Sequence, residues 1–318
     1  MMSFIFLLAG LVLLFLGGEL LVRGSVSLAL KMKISTLVVG MTIVSFATSA
    51  PELFVSLQAV FQGSSNIAFG NVIGSNIANI TLVLGLTAMI FRVKVSRQTL
   101  TLNYPMMLFS SVLLGIILYF FNGISAVFGF LFVALLLLFS WLLILNSRKD
   151  YLNSSTDKSE ILEKKSADHL FKSLIFLFVG ILLLKYGADV LVNSTTVIAK
   201  NFGVSDRIIA VTIVAIGTSV PELATSIIAA LRKEDNLAIG NLIGSNIFNI
   251  MAVLGITSII KEIHIIDSAI FSIDYFWMIS ISLVVGLFIY LFSTNYVSRK
   301  EGFLLFVIYL LYIYRSLY

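Results

Sequence analysis

One long motif occurs twice in this chain, and that repetition constrains the fold more than any other feature. Shifted by 170 residues, Ile34–Leu86 aligns with Val204–Ile256 without a gap and is identical at 25 of 53 positions. The best-matched stretches read TIVSFATSAPEL at Thr42–Leu53 and TIVAIGTSVPEL at Thr212–Leu223. They continue as GNVIGSNIANI at Gly70–Ile80 and GNLIGSNIFNI at Gly240–Ile250. A match of this length and register implies two structurally equivalent halves.

Each half is too apolar to be soluble. The chain is 59% hydrophobic and only 12% charged, with a mean hydropathy of +1.07, against about a quarter charged in a soluble domain. A membrane span needs about 20 apolar residues. Ten such runs are predicted, over 3–22, 36–61, 67–90, 101–121, 124–146, 170–196, 207–231, 237–260, 270–292 and 302–316. The expected fold class is an all-α membrane protein with ten transmembrane helices in two inverted five-helix repeats, 1–146 and 170–318, joined by a polar linker, 147–169. Five spans per half is an odd number, so the second half enters the membrane from the opposite face. Inverted repeats with interrupted helices at the bilayer midplane are a recurrent architecture of secondary transporters.

Basic residues set the orientation. Sixteen Lys and Arg fall in loops on the linker side and four (Lys200, Arg207, Lys261, Arg315) on the other, with Lys185 inside a span. The positive-inside rule makes the linker cytoplasmic and both termini extracellular. The same rule accounts for the net charge of +5 without a nucleic-acid partner. The N-terminal MMSFIFLLAG has neither a basic leader nor a cleavage signal and reads as a retained first helix.

Several chemistries are excluded. The chain has no cysteine, which rules out thiol and disulfide chemistry. His169 and His264 lie far apart in predicted loops. An intramembrane enzyme would need a Ser/Lys or Ser/His pair, paired aspartates or HExxH, and none of these is present. No cofactor is expected. A channel would need a continuous pore, whereas an inverted repeat with one central site fits alternating access.

The chemistry lies in the repeat. Two of only three prolines, Pro51 and Pro221, occupy equivalent mid-span positions. Each removes a backbone donor and crowds the carbonyl four residues back, at Ala47 and Gly217. A plain structural kink is the bland explanation, but an acid follows each proline, Glu52 and Glu222. A carboxylate inside a bilayer marks an ion path or a salt bridge, and no Lys or Arg lies at comparable depth in spans 2, 3, 7 or 8. On a helix, Ser45, Thr48, Ser49, Glu52 and Ser56 share a face, as do Thr218, Ser219, Glu222 and Ser226. Asn71, Ser75 and Asn79, and again Asn241, Ser245 and Asn249, form polar lines with a four-residue period. Gly70/Gly74 and Gly240/Gly244 are spaced for close helix approach. The donors are carboxylate, hydroxyl, amide and carbonyl oxygens, an inventory for hard cations. Two carboxylates balance one Ca²⁺. Glu19 with Arg23, and Lys185 with Asp189, are spaced as local helical ion pairs.

The paired ATSAPE/GTSVPE and GSNIAN/GSNIFN motifs resemble the alpha-repeats of the calcium/cation antiporter superfamily, and within it the sodium/calcium exchangers. The resemblance spans both halves. It implies ten helices and alternating access in which the first and sixth helices slide against a fixed core, and the monomer is expected to be the working unit. It implies calcium held by Thr48, Glu52, Thr218 and Glu222. Sodium would use these with Ser49, Ser219, Ser75, Ser245, Asn79 and carbonyls near Ser45 and Ala215, with Asn249 in support. At Asn249 archaeal-type exchangers carry an aspartate, a departure that leaves calcium/proton and potassium-dependent exchange as alternatives.

Overall fold

The computed structural model describes residues 2–153, 170–203, 215–265, 269–292 and 296–317. Ten helical stretches run through them: α1 (Met2–Met32), α2 (Thr36–Phe61), α3 (Ser65–Ile90), α4 (Thr99–Phe121), α5 (Ala126–Asn153), α6 (Leu170–Asn201), α7 (Val220–Leu231, preceded by a turn at Ala215–Gly217), α8 (Asp235–Ile260), α9 (Ile270–Tyr290) and α10 (Arg299–Leu317). Eight of these, all but α7 and α10, are long and apolar enough to cross a membrane. The chain is therefore an all-helical, multi-pass membrane protein. The first part of span 207–231 and most of the linker, 154–169, lie outside the described residues. The linker's first residues are helical, because α5 runs past Asn146 to Asn153. Ser147 in that extension is buried, and its Oγ accepts from the Ser35 backbone N–H at 2.8 Å. Ser35 in turn caps α2 by accepting from Val38 N–H at 3.3 Å, satisfying an otherwise orphaned donor.

The helices pack through contacts that recur between the halves. In the antiparallel pair of α1 and α6, a Cβ added at Gly17 would lie 2.7 Å from Leu184 N, and one at Gly180 would lie 2.7 Å from Leu21 N. Gly10 and Gly187 meet in the same reciprocal way. Only glycine permits backbones this close, and in lipid such packing replaces the hydrophobic drive. Between α4 and α9, Tyr104 donates to the Ser282 carbonyl at 2.8 Å and Tyr275 to the Ser111 carbonyl at 3.2 Å. The partners correspond at a shift of 171, one more than in the motif.

Two short antiparallel ribbons tie the loops together. β1 (Val93–Lys94) pairs with β4 (Tyr296–Val297), Val93 opposite Val297. β2 (Gly123–Ile124) pairs with β3 (Ile263–His264), Ile124 opposite Ile263. The α3–α4 loop thus meets the α9–α10 loop, and the α4–α5 loop meets the α8–α9 loop. Inside this frame α2, α3, α7 and α8 pack together, and α3 and α8 are the most buried of the candidate spans.

Candidate ion-binding site

Helix α2 breaks at Ser49 (φ −84°, ψ 1°) and restarts at Ala50 with Pro51 in its first turn. The second half repeats this at Ser219 (φ −89°, ψ 1°) and Pro221. Proline is tolerated in a first turn because its missing N–H would be unpaired there anyway. The break thus places Glu52 and Glu222 in the first turn of a new helix, where the dipole favours negative charge. Helices α3 and α8 are also irregular, widening into π-helical turns at Asn79–Val83 and Asn249–Leu254, each beginning at the motif's last asparagine. Such turns often accompany functional sites.

Glu52 and Glu222 are both fully buried, and none of their four carboxylate oxygens has a hydrogen-bond partner among the described residues. The two carboxylates are close enough to interact, with Ser75 beside Glu52 and Thr48 beside Glu222. No cation among the described residues is paired with either. An uncompensated buried charge costs several kcal/mol, so two adjacent carboxylates must be offset by a bound cation or by protonation. Further buried groups of the repeated motif are unpartnered among the described residues: the hydroxyls of Ser49, Ser219, Thr225 and Ser226, both amide atoms of Asn79, Asn241 Nδ2 and Asn249 Oδ1. Buried polar atoms without partners are rare in native proteins, and here they cluster on the motif.

The remaining expected residues are brought to the same place, and several bonds cross between halves. Thr48 Oγ1 lies 3.2 Å from both Asn241 Oδ1 and Ser245 Oγ. Ser75 Oγ lies 3.4 Å from Thr218 Oγ1. Ser45 donates to the Gly40 carbonyl at 2.7 Å and the Asn241 carbonyl at 3.1 Å. That reach requires α2 and α8 to touch, and a Cβ at Gly240 would sit 2.6 Å from the Leu37 carbonyl. The close approach expected of Gly240 and Gly244 is therefore present. For Gly70 and Gly74 the equivalent surface, 204–214, lies outside the described residues. Ala215 opens the turn before Ser219, and nothing is described of its side chain.

Three features escaped the sequence reading. Asn76 and Asn246 join the halves directly: Asn249 Nδ2 donates to Asn76 Oδ1 at 3.1 Å, and Asn76 Nδ2 to the Asn246 carbonyl at 3.3 Å. Their signal was available, since both stand at matched positions three residues before Asn79 and Asn249. Glu19 pairs with Arg23 at 2.5 Å as expected, but also with Arg232 at the end of α7, whose Nε donates to Glu19 Oε2 at 2.9 Å. Lys185 and Asp189 do not form the expected ion pair. Both side chains are exposed on α6 and line cavities instead.

The family model for sodium/calcium exchanger proteins matches residues 2–145 and 172–318. The chain belongs to the sodium/calcium exchanger family. Among its relatives, the putative antiporter CaxA of Alkalimonas amylolytica is 36% identical over 98% of this chain and 97% of its own length. The sodium/calcium exchanger MaX1 of Methanosarcina acetivorans is 30% identical over 98% and 97%. A solved structure of the sodium-calcium exchanger NCX_Mj, soaked with Na⁺ and Ca²⁺, superposes with a TM-score of 0.81 at 29% identity, covering 99% of this chain and 98% of that one. Membership of this family places the paired, unpartnered glutamates in a transporter rather than an enzyme.

Proposed function

We propose that this exchanger-family protein moves Ca²⁺ in one direction and Na⁺ in the other by alternating access at a single central site. The observation that carries the reading is the fully buried Glu52–Glu222 pair, unpartnered and uncompensated among the described residues. Calcium is held by Glu52, Glu222, Thr48 and Thr218. Sodium ions use these carboxylates with Ser49, Ser219, Ser75, Ser245, Asn79 and the carbonyls of Ser45 and Ala215, and Asn249 supports the site through Asn76. The oxygen-only donor set suits hard cations. Two fixed charges match one Ca²⁺ or a small number of Na⁺, so the two substrates compete for the same carboxylates.

The architecture proposed is ten spans in two inverted five-helix repeats, with both termini outside, the linker in the cytoplasm and the monomer as the working unit. The reciprocal Gly17–Gly180 contact and the matched Tyr104–Ser282 and Tyr275–Ser111 hydrogen bonds support the repeat. The ribbons support the span count: if α4 and α9 both cross, the paired loops at each end fall on a common face. Sodium is favoured over protons as the coupling ion because Asn249 is neutral and Glu52 and Glu222 are the only buried acids among the described residues. The test is calcium uptake into proteoliposomes. Sodium-loaded vesicles should take up Ca²⁺ when diluted into sodium-free medium. Uptake driven by a pH gradient alone, with none driven by sodium, would replace this reading with proton exchange.

A further inference from the structure

Two adjoining cavities of about 250 and 200 Å³ lie between α6 and the broken segments of α2 and α7. They share Pro51, Pro221 and Lys185 as walls. The first reaches Thr48 and the second Thr218, so each borders one threonine of the proposed calcium site.

Lys185 stands halfway along the 32-residue α6, roughly 22 Å from its start at about 1.5 Å per residue. An ammonium group at that depth is expensive unless it is hydrated or paired. Lys185 has no ion pair among the described residues, and its Nζ lies 5.8 Å from the centre of the Tyr186 ring. Asp189, one turn on, lines the second cavity and is likewise unpaired among the described residues. Water in the cavities is what can solvate both charges. The repeat sharpens the point. Shifted back by 170, Lys185 falls on Phe15 and Asp189 on Glu19, and Glu19 is neutralised by Arg23 and Arg232. The α6 side is therefore the one with uncompensated charges facing a cavity.

We infer that Lys185 and Asp189 set the balance between Ca²⁺ and Na⁺ from the wall of the ion path, Lys185 disfavouring the divalent ion and Asp189 partly offsetting it. The inference rests on the function proposed above. A fixed charge raises or lowers the potential at the site, and an ion of charge z feels that potential z times. Any factor Lys185 imposes on one Na⁺ is therefore squared for Ca²⁺. Neither residue need touch the ion.

The test is calorimetric binding of Ca²⁺ and of Na⁺ to the purified full chain in detergent, at low and high choline chloride. Lys185→Met should tighten Ca²⁺ about tenfold and Na⁺ about threefold per ion at low salt. Both gains should shrink at high salt, where exposed charges are screened. Asp189→Asn should shift both in the opposite direction, and Lys185→Arg should match the wild type. Equal changes for the two ions, a gain unaffected by salt, or no change in the Lys185 and Asp189 variants would overturn the inference while leaving the exchange function standing. Failure of the wild type to bind either ion would instead overturn the function and the inference with it.

Discussion

At the scale of the residue, the proposed site gives up stability for binding. Glu52 and Glu222 are both buried without a partner among the described residues, so each, when ionised, destabilises the ion-free protein. Glu52→Gln and Glu222→Gln keep the volume and remove one charge. Either should raise ion-free stability by about 2 kcal/mol while lowering sodium-driven calcium uptake at least tenfold. Wild-type protein should gain about 2.7 kcal/mol at a hundredfold excess of Ca²⁺ over its Kd, and the glutamine variants should lose that gain. Thermal melts with chelator and with Ca²⁺ read both effects, and near-normal uptake by either variant would remove the glutamates from the site. Asn249 makes the converse case. Its Nδ2 donates to Asn76 Oδ1, so Asn249→Asp sets a carboxylate against an acceptor and adds a third buried acid. Ion-free stability should fall by about 1–3 kcal/mol, and the pH dependence of transport should differ from that of the wild type.

At the scale of the element, the broken helices and polar lines were legible because proline, glutamate and asparagine leave sharp marks in an apolar background. Pro51 and Pro221 located both breaks, and the four-residue period located the faces of α3 and α8. The contacts between α1 and α6 were not read from the sequence. Their signal is glycine recurring every seven residues, Gly10, Gly17 and Gly24 opposite Gly180 and Gly187, and isolated glycines are common in membrane helices. Lys185 and Asp189 illustrate the limit of local spacing. An i,i+4 pair permits an ion pair, but here both side chains line cavities and the pair does not close. The glycine contacts carry their own prediction. A Cβ at Gly17 would sit 2.7 Å from Leu184 N, and backbone cannot yield as a side-chain tip can. Gly17→Ala should cost about 1–3 kcal/mol, and Gly17→Leu should part α1 from α6. Leu14 and Leu191 flank the neighbouring Gly10–Gly187 contact. Cysteines placed at these two positions should cross-link less efficiently in the Gly17 variants than with Gly17 intact, and unchanged cross-linking would show that the interface tolerates the added side chain.

At the scale of the whole molecule, orientation and charge movement are the two properties that the fold leaves to experiment. The proposed orientation puts Ser3 outside and Ser155 in the cytoplasm. Single cysteines there should be labelled by an impermeant maleimide in intact cells at Ser3→Cys and spared at Ser155→Cys; the reverse pattern would invert the protein. The last property follows from the site's charge. In the proposed site two carboxylates balance one Ca²⁺, and the hydroxyls and amides that share it add room for sodium without adding charge. The site can thus return with more positive charge as sodium than it carried as calcium. With three Na⁺ per Ca²⁺, the ratio the family resemblance implies, calcium entering a sodium-loaded vesicle removes one net positive charge per cycle. An inside-negative potential, set by a potassium gradient and valinomycin, should therefore slow calcium uptake, and an inside-positive one should speed it. Uptake indifferent to potential would mean two Na⁺ per Ca²⁺, and the carboxylates would then carry the same charge in both halves of the cycle.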